Sequence, residues 1–161
     1  MIDLAAGRVR KGWATGRHIE TALETDIWHP NGFGRRYSMR EKADGFEDAF
    51  AAFGLKPHSV EPVFKILTGN HYIDGVHTHM HQDTAPEGFA HVRCNTMLRK
   101  PTTGGMPLFG EESIEVEIGD LWIVLASLEQ HGSTPMFGGE RVIFSYGALV
   151  PMEQVTEITK K

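Results

Sequence analysis

The sequence predicts an α+β chain whose core is mainly β, arranged as an antiparallel double-sheet jelly roll or a small barrel. From residue 61 onward, short apolar or alternating runs follow one another, with turn residues between them and no helical periodicity. The 161 residues are 40% hydrophobic, which is enough for one compact core and cramped for two. We therefore expect a single domain over residues 1–161, with loops and a helix over 1–59 and the β core over 60–150.

The N-terminal part is predicted to pack a helix, or more than one, on the β core. Weak periodicity in the first forty residues indicates loops, with a short helix near 16–24. From Ser38 the apolar residues recur every three to four positions, which predicts an amphipathic helix of about three to four turns. Gly54 and Pro57 would end it. The apolar positions are Ala43, Phe46, Phe50 and Phe53.

The strand candidates share a short length, an apolar or alternating pattern, and flanking Gly, Pro, Asn or Asp residues. Such segments at this spacing, without helices between them, are typical of antiparallel sandwiches and barrels. The candidates are residues 62–67, 72–79, 90–98, 112–118, 121–126, 131–136 and 141–149.

Composition excludes several classes of function. The 16 Lys and Arg residues against 21 Asp and Glu residues, with a pI near 6.0, give no electrostatic basis for binding nucleic acid. The single cysteine, Cys94, excludes an intrachain disulfide and every zinc site that needs two thiolates, and it fits a reducing compartment. No run approaches the roughly 20 apolar residues of a membrane span. We expect a cytoplasmic protein without membrane or nucleic-acid partners.

Nine histidines stand beside that one cysteine, which shifts any metal site towards imidazole and carboxylate ligands. Four such side chains occupy alternate positions: His77, His79, His81 and Asp83. On a strand, all four would point to one face. His81 and Asp83 with the distant His131 have the composition of a 2-His-1-carboxylate triad, which holds non-haem Fe(II) and leaves coordination positions open. His77 and His79 are expected to be ordinary strand residues or to support the ligands.

Arg141 follows His131 by ten residues, beyond a Gly-Gly turn at 138–139. Across a hairpin, its guanidinium would point into the cavity of the metal and could hold a carboxylate through two hydrogen bonds. A metal site with a carboxylate-binding arginine indicates a keto-acid cosubstrate.

These motifs resemble a known family. The stretches GDLWIV at 119–124 and HGSTPMFGGERVIFS at 131–145 resemble the terminal motif of Fe(II)/2-oxoglutarate-dependent dioxygenases, especially the prolyl-hydroxylase-like group. YIDG at 72–75 and HQD at 81–83 resemble the proximal motif. The resemblance covers about half of the chain and implies a double-stranded β-helix, with helices packed on its outside.

The resemblance also assigns roles to residues. It implies that His81, Asp83 and His131 are the iron ligands and the catalytic centre. It implies that Arg141 pairs with the distal carboxylate of 2-oxoglutarate and that Tyr72 bonds that cosubstrate or lines its pocket. Two further candidates, Arg93 and Asn95, lie in a strand similar to one in aspartyl/asparaginyl-hydroxylase-like members, where residues at this spacing contact 2-oxoglutarate. Ser145 shares the strand face of Arg141, and its role stays open.

The activity that the resemblance implies is hydroxylation of an unactivated C–H bond, which consumes O2 and 2-oxoglutarate and releases succinate and CO2. The substrate would be a small molecule or an amino-acid or peptidyl group. Only about sixty residues precede the barrel, so we expect a small substrate, or a pocket completed by a second subunit in a homodimer.

Two other interpretations stay open. A cupin-type enzyme that uses no 2-oxoglutarate would take its metal ligands from His77, His79, Glu87 and His131, but it gives Arg141 no task. A non-catalytic β-barrel with a metal site is the third interpretation.

Overall fold

The computed structural model describes residues 7–16, 29–30, 36–40, 48–60, 64–68, 75 and 77–158. The strands in these ranges are β1 (Val9–Arg10), β2 (His29–Pro30), β3 (Arg36–Arg40), β4 (Ser59–Val60), β5 (Phe64–Thr68), β6 (Phe89–Arg99), β7 (Thr103–Gly104), β8 (Pro107–Phe109), β9 (Glu112–Ser113), β10 (Leu121–Val124), β11 (His131–Ser133), β12 (Met136–Phe137) and β13 (Val142–Pro151). A 3₁₀ turn spans Ala51–Phe53, and the helix α1 spans Met152–Ile158.

The strands form one large antiparallel sheet and two small ones. The large sheet has the order β1-β10-β6-β13-β5-β3-β2, and β4 also pairs with β13. Its centre is the long pair β6 and β13, which runs from Phe89 opposite Pro151 to Arg99 opposite Val142. The small sheets are β11-β8-β9 and β12-β7. The fold is therefore mainly β with antiparallel sheets, as a jelly roll requires, and this part of the prediction is confirmed.

The two faces of the large sheet are buried against different partners, because side chains alternate along each strand. The outer face, with Cys94 on β6 and Phe144 on β13, packs with Phe50 and Phe53 of the N-terminal part and Val155 of α1. Burial raises the pKa of the Cys94 thiol far above its ordinary range, so this cysteine is a small apolar core residue.

The inner face of the large sheet packs on the small sheet that contains β8. Its apolar members are Met97, Trp122, Val124 and Ile143, which cluster with Met106 and Val116. Arg93, Asn95 and Ser145 have the same alternation as these residues, so the polar candidates of β6 and β13 point inward as well.

The predicted N-terminal helix is wrong at its start, because Arg36–Arg40 is a strand that pairs with β5. Residues 41–47 lie outside the described ranges, as does the helix predicted near 16–24 beyond Gly16. At the end of the predicted helix, a 3₁₀ turn closes at Gly54 in the left-handed conformation, with φ of 71°. The apolar spacing predicted correctly that Phe50 and Phe53 are buried. A repeat of three also suits a 3₁₀ turn, so this spacing did not determine the type of helix.

The described part of one predicted strand, 72–79, and most of another, 112–118, form no strand, and residues 72–74 and 76 lie outside the described ranges. Residues 77–80 belong to no strand, although Thr78 accepts a hydrogen bond from the Ser133 amide and donates one to the Ser133 hydroxyl. The predicted strand 112–118 is a strand only at Glu112–Ser113, and the side chain of Asp120 accepts the Glu117 amide instead. In the described part of the chain, no helix is long and apolar enough to cross a bilayer.

Candidate metal centre

The three predicted ligands lie together at one end of the space between the sheets. His81 and His131 form a two-hydrogen-bond bridge, with N···O distances of 3.0 and 2.9 Å. The Asp83 amide donates to the Ala126 carbonyl at 2.7 Å, which fixes the third residue. One ligand atom from each side chain lies within 4.8 Å of the others. The backbone therefore brings His81, Asp83 and His131 to one point, although fifty residues separate the first from the last.

Each imidazole is oriented by a backbone carbonyl two residues before it. His81 Nδ1 lies 2.8 Å from the His79 carbonyl, and His131 Nδ1 lies 3.1 Å from the Glu129 carbonyl. A carbonyl oxygen only accepts hydrogen bonds, so both Nδ1 atoms carry the proton and both Nε2 atoms keep their lone pairs. Burial lowers the pKa of His131, which favours its neutral form. Two neutral Nε2 atoms and one carboxylate form a donor set that fits a divalent transition metal.

A cavity of about 210 Å³ extends from this group into the barrel. Apolar side chains from both sheets form much of its wall: Pro107, Phe109, Trp122, Val124 and Ile143. The polar residues on its inner wall are Arg93, Asn95, Arg141 and Ser145. His81 at the outer end has a 48% exposed side chain, whereas Arg141 is 6% exposed. The cavity therefore extends from the partly exposed group of predicted ligands to the buried guanidinium of Arg141.

Arg141 is held inside the barrel by a close glycine. Its Nε donates to the Gly105 carbonyl at 2.6 Å. Gly105 has φ of 70°, and a Cβ there would lie 2.9 Å from Arg141 Cδ. A side chain at position 105 would be strained and would displace the arginine.

Arg93 and Asn95 line the same cavity. Ser145, whose role the sequence left open, accepts a hydrogen bond from Arg93 Nε at 2.8 Å. Asn95 is 8% exposed, and no described group bonds its Oδ1. A buried amide oxygen without a partner costs about 1–3 kcal/mol, and only a hydrogen-bond donor could satisfy it, so Oδ1 is not a contact for an anionic ligand.

The sequence analysis missed His91, which lies beside the carboxylate of the group. His91 Nδ1 is 3.1 Å from Asp83 Oδ2. Strand alternation could have identified His91, because it precedes Arg93 by two positions and so lies on the same face of β6. Tyr72, the remaining candidate, lies outside the described residues.

The cupin-type ligand set is not brought together. The rings of His77 and His79 contact each other, with centroids 4.7 Å apart, and neither residue lines the cavity. Glu87 is exposed in the turn before β6. Within the described ranges, the one group that could hold a metal contains His131 but not the other three cupin candidates.

The fold of this chain is similar to that of two prolyl hydroxylases and of a protein solved with 2-oxoglutarate bound. The viral collagen prolyl hydroxylase of Paramecium bursaria Chlorella virus-1, solved with 2-oxoglutarate, matches with a TM-score of 0.66 and 14% identity over 89% of this chain and 94% of its own. HygX from Streptomyces hygroscopicus, with nickel and 2-oxoglutarate bound, matches at 0.65 and 15% over 89% and 82%. A Pseudomonas putida prolyl-4-hydroxylase matches at 0.60 and 15% over 93% and 96%.

This chain has the fold of 2-oxoglutarate-Fe(II) oxygenases. The resemblance found in the sequence motifs is thus confirmed at the level of the fold. No family model matches the chain, and no curated protein does. At identities of 14–15%, the roles of individual residues depend on the geometry of this site itself.

Proposed function

We propose that the protein is an Fe(II)- and 2-oxoglutarate-dependent oxygenase that hydroxylates an unactivated C–H bond and releases succinate and CO2. One observation carries the proposal: His81, Asp83 and His131 converge at the open end of a cavity whose wall carries Arg93 and the buried Arg141. This combination supports an oxygenase over a simple metal-binding barrel, because a structural metal site has no need of guanidinium groups in an adjoining cavity.

The metal would be held by Nε2 of His81, Nε2 of His131 and a carboxylate oxygen of Asp83. This donor set suits Fe(II), and three protein ligands leave positions for a cosubstrate and O2. Bound iron would supply the activation of O2 coupled to the oxidative decarboxylation of 2-oxoglutarate.

The protein's own residues would bind and orient the dianionic cosubstrate. Arg141, which is 6% exposed, would pair with the distal carboxylate, and its charge would act strongly because the surrounding wall has a low dielectric constant. Arg93 lines the same cavity and would donate hydrogen bonds to the same molecule, and the side-chain NH2 of Asn95 stays a predicted donor to it. Trp122, Val124 and Ile143 would exclude water from the reacting groups.

The substrate proposal follows the sequence analysis: a small molecule or an amino-acid or peptidyl group, taken by a single domain that acts alone or as a homodimer. Tyr72 stays a predicted cosubstrate ligand. Nucleic acid is not a proposed partner, since the chain carries a formal net charge of −5.

The test is anaerobic titration of the purified protein with Fe(II) and 2-oxoglutarate, followed by exposure to O2. We expect a visible metal-to-ligand charge-transfer band before O2 and succinate after it. Asp83→Ala should lose both signals, and His58→Leu, at an exposed histidine outside the cavity wall, should keep both. Wild-type protein that gives neither band nor succinate would overturn the proposal.

A further inference from the structure

We propose that His91 is a positioning residue that holds the Asp83 carboxylate in its ligating orientation. The inference rests on the proposed role of Asp83 as a metal ligand. The two oxygens of Asp83 have different neighbours: Oδ1 lies 3.7 Å from His81 Nε2, on the side of the ligand group, whereas Oδ2 lies 3.1 Å from His91 Nδ1. One oxygen is thus left for the metal, and the other is held by the imidazole.

The contacts of His91 define its tautomer. Its Nε2 lies 3.5 Å from Arg93 Nη1, and a guanidinium only donates hydrogen bonds. Nε2 is therefore the acceptor, and Nδ1 carries the proton that it donates to Asp83. With the proton on Nδ1, the ring accepts from the arginine on one side and donates to the carboxylate on the other.

The backbone holds His91 and Asp83 in register, so their contact is built into the fold. The His91 amide donates to the Ser127 hydroxyl at 2.9 Å, and the Ser127 amide donates to the His91 carbonyl at 3.2 Å. The Asp83 amide donates to Ala126, the residue before Ser127, at 2.7 Å. The backbones of His91 and Asp83 are thus held by two adjacent residues, Ser127 and Ala126. The backbone contacts leave the χ2 torsion of Asp83 undetermined, and this torsion is broad and roughly two-fold.

The hydrogen bond from His91 removes that freedom and connects the ligand to the cosubstrate wall. Polar contacts run from Asp83 through His91 and Arg93 to Ser145, where the last hydrogen bond is 2.8 Å long. Loss of such an outer partner typically lowers metal affinity about 10–100-fold.

The test uses three substitutions that separate the hydrogen bond from the bulk of the ring. His91→Asn places an amide N–H near the position of Nδ1, His91→Gln places one near Nε2, and His91→Leu has neither. His58→Leu is the matched control, because His58 is exposed and contacts Phe89 outside the cavity wall. The measurements are the Kd for Mn(II) without 2-oxoglutarate and the Tm of the metal-free proteins.

We expect His91→Leu and His91→Gln to raise the Mn(II) Kd about 10–100-fold. His91→Asn should recover most of the affinity, and His58→Leu should bind as wild type does. A merely structural role would lower the metal-free Tm without separating Asn from Gln. Wild-type affinity in His91→Leu, or equal affinities in the Asn and Gln variants, overturns the inference.

The same variants distinguish this inference from the proposed function. Mn(II) binding that depends on His91, in a protein that gives no 2-oxoglutarate band, keeps the positioning role and overturns the oxygenase proposal. A normal 2-oxoglutarate band in the wild-type protein, together with an unchanged Mn(II) Kd in His91→Leu, supports the oxygenase proposal and overturns the positioning role. Wild-type protein that binds no divalent metal overturns both.

Discussion

Gly132 permits the close approach of two segments that carry metal ligands. It directly follows His131, and a Cβ built on it would lie 2.6 Å from the Thr78 carbonyl oxygen and 3.0 Å from Met80 Sδ. The Met80 side chain can rotate away, but the Thr78 oxygen is a backbone atom of the segment that leads to His81. Gly132→Ala therefore forces these two segments apart.

The size of the effect follows from that distance. The Cβ would lie about 0.8 Å inside ordinary van der Waals contact with Thr78 O. Overpacking of this kind costs about 1–3 kcal/mol, which lowers the Tm of a chain of this size by about 2–12 °C. The displacement also separates His81 from His131, and a shift approaching 1 Å is enough to loosen a metal site.

The assay compares Gly132→Ala with Gly7→Ala, because a Cβ at Gly7 meets nothing within 4 Å and its φ is not positive. We expect Gly132→Ala to lower the Tm and to raise the Mn(II) Kd, whereas Gly7→Ala should leave both unchanged. If Gly132→Ala has the wild-type Tm and Kd, then the close approach of Gly132 to Thr78 does not hold the ligands in place.

Three further predictions concern charged side chains. Burial raises the pKa of Asp120, but hydrogen bonds from Lys11 Nζ and from two backbone N–H groups lower it below its ordinary value. The ionised carboxylate therefore stabilises the folded state above about pH 4, and this stabilisation disappears as pH falls through the lowered pKa. The Tm difference between wild type and Asp120→Asn should accordingly shrink towards pH 2. Arg141→Ala should raise the KM for 2-oxoglutarate about tenfold to hundredfold with a smaller effect on kcat, measured by succinate release; an unchanged KM contradicts its assignment. Arg8→Ala should cost about 3 kcal/mol in urea unfolding, because it leaves the Glu129 carboxylate part-buried without its 2.8 Å partner, and additive losses in the double variant with Glu129→Ala would refute the coupling.

The sequence predicted the positions of the three grouped residues better than it predicted their secondary structure. His81 and Asp83 were placed on one face by assuming a strand, yet residues 77–80 are outside any strand. The placement survives because any extended backbone alternates its side chains, whether or not it belongs to a ladder. The same alternation predicted that Arg93 and Asn95 share one face, and the family resemblance implied that this face points to the cosubstrate. Extended by two residues, the alternation would also have placed His91 on that face.

The sequence patterns did not predict contacts between residues that are far apart in the chain. Arg8 pairs with Glu129 through two hydrogen bonds of 2.8 Å and lies over the Phe109 ring at 3.7 Å, and no local pattern connects residues so far apart. The N-terminal error has a different cause. A three-to-four spacing of aromatic residues indicates which side of a segment is buried. A 3₁₀ turn or a strand can bury such residues against a sheet as well as an α-helix can.

The segment 125–131, which contains the turn 126–128, ends at His131 and contacts the other two grouped residues. Its Ala126 carbonyl accepts the Asp83 amide, and its Glu129 carbonyl accepts the ring of His131, which itself bridges to His81. The Glu129 carboxylate is in turn fixed by Arg8 and by the Leu125 amide, at 2.9 Å. This segment therefore helps to position the backbone of all three residues, and the Arg8–Glu129 ion pair holds it from outside the cavity. Changes to side chains around the turn should affect metal affinity less than changes that alter its length, because only the latter shift all three residues at once.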